Sequence, residues 1–110
     1  MIHVVAVVTA VPGCRAELLA AFHAIVPTVR AERGCIEYAP VVDAVGAPEI
    51  GSPVGADTFL VIEKWADLEA LRAHATAPHM AHYAAEASAL IRERTVHVLA
   101  AAPEPHAPDD

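Results

Sequence analysis

The stretch Phe59 to Tyr83, FLVIEKWADLEALRAHATAPHMAHY, changes its period partway along and carries most of the reactive side chains of the chain. Over residues 59–65 alternate side chains fall on opposite faces of an extended segment: Phe59, Val61, Glu63 and Trp65 on one, Leu60, Ile62 and Lys64 on the other. Asp67 follows as a helix cap, because its carboxylate can accept from the unpaired amides of a first turn. Leu68, Leu71 and Ala75 then recur at helical spacing, with His74 at the edge of that stripe. Pro78 is suited to open a second helical segment rather than to continue the first, and in it Met80, Tyr83, Ala87, Leu90 and Ile91 share a face. His79 lies one turn before Tyr83. Glu63, Trp65, His74, His79 and Tyr83 are therefore expected to converge between a strand and the helices above it.

Upstream, residues 2–9 (IHVVAVVT) are apolar on both faces, as a strand without a wet side would be. Pro12-Gly13 makes a turn, and the segment after it, to about Arg33, places Leu18, Phe22, Ile25 and Val29 on one helical face. Pro27 inside that pattern removes the bond to the carbonyl of His23, and Gly34 closes the helix. Residues 35–43 (CIEYAPVVD) form a second strand, with Ile36, Tyr38 and Val42 on one face; Pro40 points to an edge position or a bulge. Residues 44–57 are a long connection rich in glycine and proline, of the kind that serves as a lid or an arm. Residues 94–101 (RTVHVLAA) alternate again as a closing strand. The Pro-rich, acidic residues 102–110 read as a disordered tail behind a domain of residues 1–101.

The order strand, helix, strand, strand, helix, strand predicts an α+β, ferredoxin-like βαββαβ fold with an antiparallel sheet covered on one face. Because two strands are apolar on both sides, the bare face amounts to several hundred Å², more than a monomer usually exposes. A second copy packed sheet to sheet would cover it, so a homodimer is expected.

Composition narrows the function. The formal charge is −7 with only seven Lys and Arg, scattered along the chain, which argues against nucleic acid. The apolar start meets Pro-Gly too early for a signal peptide or a membrane span, so a cytoplasmic location is expected. Cys14 and Cys35 bracket a helix that would hold them roughly 30 Å apart, and both read as free thiols.

His74, His79 and His82 fall within nine residues of one another and raise the question of a metal, yet His82 lies on the polar side and no acidic partner has ligand spacing. No metal site and no cofactor is expected. Trp65 alone would be core filler, and His74 alone a satisfied core histidine. Glu63 beside Trp65 on an inward face must be paired or functional, and an imidazole in an aromatic pocket suits removal of a proton from a phenol.

GCIEYAPVVDA (residues 34–44), FLVIEKWADLEALRAH (59–74) and APHMAHY (77–83), with the preceding IVPTVRAERG (25–34), resemble the antibiotic biosynthesis monooxygenase family, most closely its small quinol monooxygenases. The resemblance covers about residues 1–100. It implies a dimeric α/β barrel and oxygenation of a quinol or hydroxylated polycyclic aromatic by O₂ without metal, flavin or haem. On that resemblance His74 is the candidate base or hydrogen-bond partner and Trp65 lines or orients the pocket, while Tyr38, Glu63, His79 and Tyr83 line the substrate. The first strand lacks the asparagine that some polyketide-oxidising and haem-degrading relatives carry, which disfavours haem degradation. The alternative is a non-catalytic dimeric barrel that binds a small aromatic or acts as a stress-response module. The catalytic reading needs a cavity reaching His74 and Trp65; the alternative tolerates a filled core there.

Overall fold

In the computed structural model, which describes residues 1–46 and 49–105, the apolar run near the N-terminus is the inner strand β1 (Ile2–Ala10). It pairs antiparallel on one side with β3 (Thr58–Trp65) and on the other with β4 (Ile91–Leu99). β2 (Cys35–Val41) pairs antiparallel with β3, giving the sheet order β2-β3-β1-β4. Two crossovers complete the fold: α1 (Arg15–Arg30) joins β1 to β2, and α2 (Leu68–Ala75) with α3 (Pro78–Ala87) joins β3 to β4. Each crossover spans one intervening strand, β3 between β1 and β2 and β1 between β3 and β4, so the expected ferredoxin-like α+β arrangement is the one observed.

Strand periodicity sets which residues meet the helices. Val4 lies opposite Glu63 and Val98, and Ala6 opposite Val61 and Val96. That face packs against Leu18, Phe22, Val26 and Val29 of α1. Val26 is buried where Ile25 was expected, and Ile25 is only partly buried. The helix continues through Pro27, whose missing amide proton costs one bond, and stops at Arg30, short of the expected Arg33. On the opposite face Val5, Val7, Leu60 and Ile62 are half-buried, with no helix over them among the described residues.

Three boundaries differ from the sequence reading for local reasons. β2 does have an edge position, but its bulge falls at Ile36 rather than Pro40: Cys35 faces Trp65 and Glu37 faces Lys64, so Ile36 is the extra residue and is 57% exposed. Ile36 and Tyr38 therefore do not share a face, and Tyr38 alone is buried. The helix expected to carry Leu90 and Ile91 ends at Ala87, followed by a 3₁₀ turn (Ser88–Leu90), and β4 begins at Ile91 rather than Arg94.

Gly34 sits in the turn entering β2 with φ +80, and a Cβ there would lie 2.6 Å from the Cβ of Ala70. Only glycine allows both that backbone and that approach of α2. The 44–57 connection is pinned at its base: Asp43 accepts from the amides of Val54 and Gly55 at 2.8 and 3.0 Å, while Arg15 donates to the carbonyls of Gly55 and Thr58. Residues 47–48 of that connection, and 106–110 of the expected tail, lie outside the described residues; 101–105 are exposed without regular structure. Among the described residues both cysteines are free, and no helix is long and apolar enough to cross a membrane.

Candidate active site

Glu63 and Trp65 are two residues apart on β3 and so point the same way, into the layer between sheet and helices. The Trp65 Nε1–H donates to Glu63 Oε1 at 3.0 Å, and Trp65 is wholly buried. Burial pushes the Glu63 carboxyl above its ordinary range; the Trp65 hydrogen bond and the neighbouring His74 act the other way.

α2 is started by Asp67, whose Oδ1 accepts from the Ala70 amide at 2.8 Å. That cap and the close contact at Gly34 fix the rotation of the helix, and the residues it turns inward are Ala70 and His74. The expected Leu68, Leu71 and Ala75 stripe is not core: Leu68 is 42% exposed, and all three line an open cleft. Their spacing was helical because they form one wall of that cleft.

His74 lies with its ring centroid 4.6 Å from Trp65 and 5.4 Å from Tyr38. Its Nδ1 is 3.0 Å from Oε2 of Glu32, which sits in the turn after α1. The same oxygen is 2.8 Å from Nε2 of His79 on α3. One carboxylate thus ties together the three helical segments that roof the sheet. A carboxylate accepts the Nδ1–H of a neutral His74, which leaves Nε2 with a lone pair. Among the described residues no buried side-chain nitrogen or oxygen lacks a partner and no group bonds Nε2, so Nε2 keeps some access to solvent, and His74 lines the cleft.

The cleft has a volume of about 810 Å³, within the range of small-molecule sites. Its roof is Leu68, Leu71, His74, Met80 and Tyr83, and its floor is Val4 and Glu63 with Arg94, Val96 and Val98 of β4. Val96 and Val98 of the edge strand β4 are exposed, so the cleft is open along that strand. Tyr83 packs edge-on against Phe22; burial pushes its phenol upward, only partly offset by Arg94, so at neutral pH it stays a hydrogen-bond donor.

Of the residues singled out in the sequence, Glu63, His74 and Tyr83 line the cleft. Trp65 and Tyr38 stand behind its wall, in contact with His74, and are not exposed to the void. His79 meets Glu32 instead. The residue the sequence did not reveal is Glu32: within RAERG it reads as one more solvated charge, and no local spacing ties it to a histidine 42 positions on. Arg94 was missed too, having been placed at the start of β4 rather than three residues inside it.

Comparison with known proteins gives a consistent picture. The family described as antibiotic biosynthesis monooxygenase matches residues 1–86. A protein named probable quinol monooxygenase YgiN, from Escherichia coli strain K12, is 35% identical over 101 residues, which are 90% of this chain and 96% of that one. Among solved structures, Rv0793 from Mycobacterium tuberculosis superposes with a TM-score of 0.75 at 28% identity, covering 96% of this chain and 98% of the other. PA3566 from Pseudomonas aeruginosa gives 0.74 at 28% identity, over 89% and 90%.

Proposed function

The chain belongs to the antibiotic biosynthesis monooxygenase family, and from that premise we propose that it oxidises a quinol or hydroxylated polycyclic aromatic with O₂ in the cleft beneath α2 and α3. The observation that carries this reading is the bond from Glu32 to Nδ1 of His74, because it leaves Nε2 as the acceptor facing the cleft. His74 takes the phenolic proton of the substrate, and Glu32 is a positioning residue that holds the ring and its tautomer. Tyr83 offers a neutral hydroxyl, and the guanidinium of Arg94 favours the anion that deprotonation produces.

The electron-rich anion passes an electron to O₂, recombination gives a peroxide anion on a ring carbon, and the proton held by His74 returns to it to give the hydroperoxide. Loss of water then leaves a carbonyl: one oxygen atom stays in the product, the other departs in the water, and the substrate supplies the electrons. The mostly apolar walls suit a flat ring. The likeness to a protein named a probable quinol monooxygenase favours a quinol over other phenols. We also place the protein in the cytoplasm, as a homodimer joined through the uncovered sheet face of Val5, Val7, Leu60 and Ile62.

The cavity reaches His74 and Glu63 but not Trp65, whose part in this scheme is to seat His74. An open cleft at His74 favours the catalytic reading over a filled, non-catalytic module. The deciding experiment measures O₂ uptake by chelator-treated protein with a reduced naphthoquinol and an anthrone-type phenol, after subtraction of autoxidation. Uptake that falls in His74→Ala supports the reading; uptake unchanged in that variant removes His74 from it.

A further inference from the structure

Glu32 Oε2, His74 Nδ1 and His79 Nε2 lie within 4.8 Å of one another although they come from three different segments of the chain. We propose that these three residues form a binding site for a divalent transition-metal ion of the zinc, cobalt and nickel class.

The donor set supports that class: two imidazoles and one carboxylate suit borderline metals and not the oxygen-seeking calcium or magnesium. The spacing supports it as well. Metal bonds of about 2.0–2.2 Å meeting between a right angle and a tetrahedral one put ligand atoms about 3 Å apart. Oε2 stands 3.0 Å from one nitrogen and 2.8 Å from the other. Both rings direct a nitrogen at the same point, so an ion can take that point while Glu32, carried on a turn and not inside a helix, draws back to ligate it.

The surroundings distinguish this cluster from a chance surface pair. The side chains of Glu32 and His74 are 14% and 8% exposed, whereas His82 and Glu86, one turn apart on α3, are largely in solvent and offer only two donors. Among the described residues no Lys or Arg comes within ion-pair distance of Glu32; its charge meets only the two imidazoles. The three-histidine grouping considered from sequence thus loses His82 and gains the acidic ligand that was missing.

Occupancy has a chemical consequence, which rests on the role proposed for His74. A neutral imidazole that ligates through Nδ1 carries its proton on Nε2. The nitrogen facing the cleft then becomes a donor and cannot accept a phenolic proton, so the bound ion and the base are alternatives.

The test is titration of the chelator-treated full chain with Zn²⁺ and Co²⁺ by calorimetry, together with ¹⁵N spectra of the histidine rings. The expected result is one ion per chain, with perturbation of His74 Nδ1 and His79 Nε2. His79→Ala and Glu32→Gln should each weaken binding about 10- to 100-fold, and His82→Ala should change it by less than about twofold. No saturable binding, or binding carried by His82 with both His79→Ala and Glu32→Gln unaffected, overturns the site. If a variant fails to fold, the ring spectra of the unaltered protein decide alone. Binding in a protein that shows no O₂ uptake leaves the site standing and counts against the proposed oxygenation. Binding that leaves an observed uptake undiminished upholds the site and overturns only its opposition to the base.

Discussion

His74 and Glu32, 42 residues apart in sequence, meet through Nδ1 and Oε2 at 3.0 Å, and the carboxylate thereby selects which nitrogen of the ring faces the cleft. If Glu32 acts through His74, its removal slows turnover without weakening the hold on the ring system of the substrate. Glu32→Ala should lower kcat about 10- to 100-fold with KM nearly unchanged, and His74→Ala about 10²- to 10⁴-fold. Glu32→Gln keeps an acceptor oxygen and should recover part of the loss. Steady-state O₂ uptake checks this, and equal defects in Glu32→Ala and Glu32→Gln would point to the charge rather than to orientation.

Trp65→Phe keeps a buried ring but leaves Glu63 Oε1 without its donor. The unpaired oxygen and the lost volume together should cost about 2–4 kcal/mol, read from urea unfolding. A loss below about 1 kcal/mol would mean that solvent from the cleft replaces the indole N–H.

Glu63 makes stability depend on pH in a direction opposite to the usual paired carboxylate. Its folded value is raised above the ordinary 4.5, chiefly by burial, so the folded state binds the proton more tightly than the unfolded chain does. The contribution is complete below the unfolded value and is lost as pH rises through the folded one. As pH rises from about the ordinary carboxyl value through the raised folded one, the protein should therefore lose stability relative to Glu63→Gln, which has nothing to titrate there. Parallel unfolding midpoints for the two proteins across that interval would count against a raised Glu63.

Two glycines with the same φ of +80 should respond differently to alanine. Gly13 has open space around it, so Gly13→Ala should cost only the backbone strain, about 1–2 kcal/mol. Gly34→Ala adds a clash with Ala70 and should cost about 3 kcal/mol or more, part of which Ala70→Gly returns in the double variant.

The uncovered sheet face predicts a solution mass of twice 11.5 kDa by light scattering. Val7→Lys, at the middle of that face, should shift the population to monomer while leaving the helical signal in circular dichroism intact. A monomeric parent protein would remove the dimer from the proposal.

Much of the fold was legible because period carries it. The alternation over residues 59–65, the Asp67 cap and Pro78 at a helix start all appear in the structure as expected. The errors arose where tertiary contact overrides period. The Ile36 bulge shifts β2 by one residue, and the contact between Gly34 and Ala70 rotates α2 so that its leucines face a cleft. In the site, His74 was found because it adjoins an apolar stripe. Glu32 was hidden because its meaning lies in partners on two other helices.

The chain contains one tryptophan, and its ring is packed against His74. Intrinsic fluorescence therefore comes with a single address. An excited indole gives up an electron readily to a protonated imidazole and far less so to a neutral one, so emission intensity follows the charge on that ring. A quinone formed in the cleft would darken the same signal by energy or electron transfer. The protein thus carries an unlabelled optical gauge just behind the wall of its candidate site.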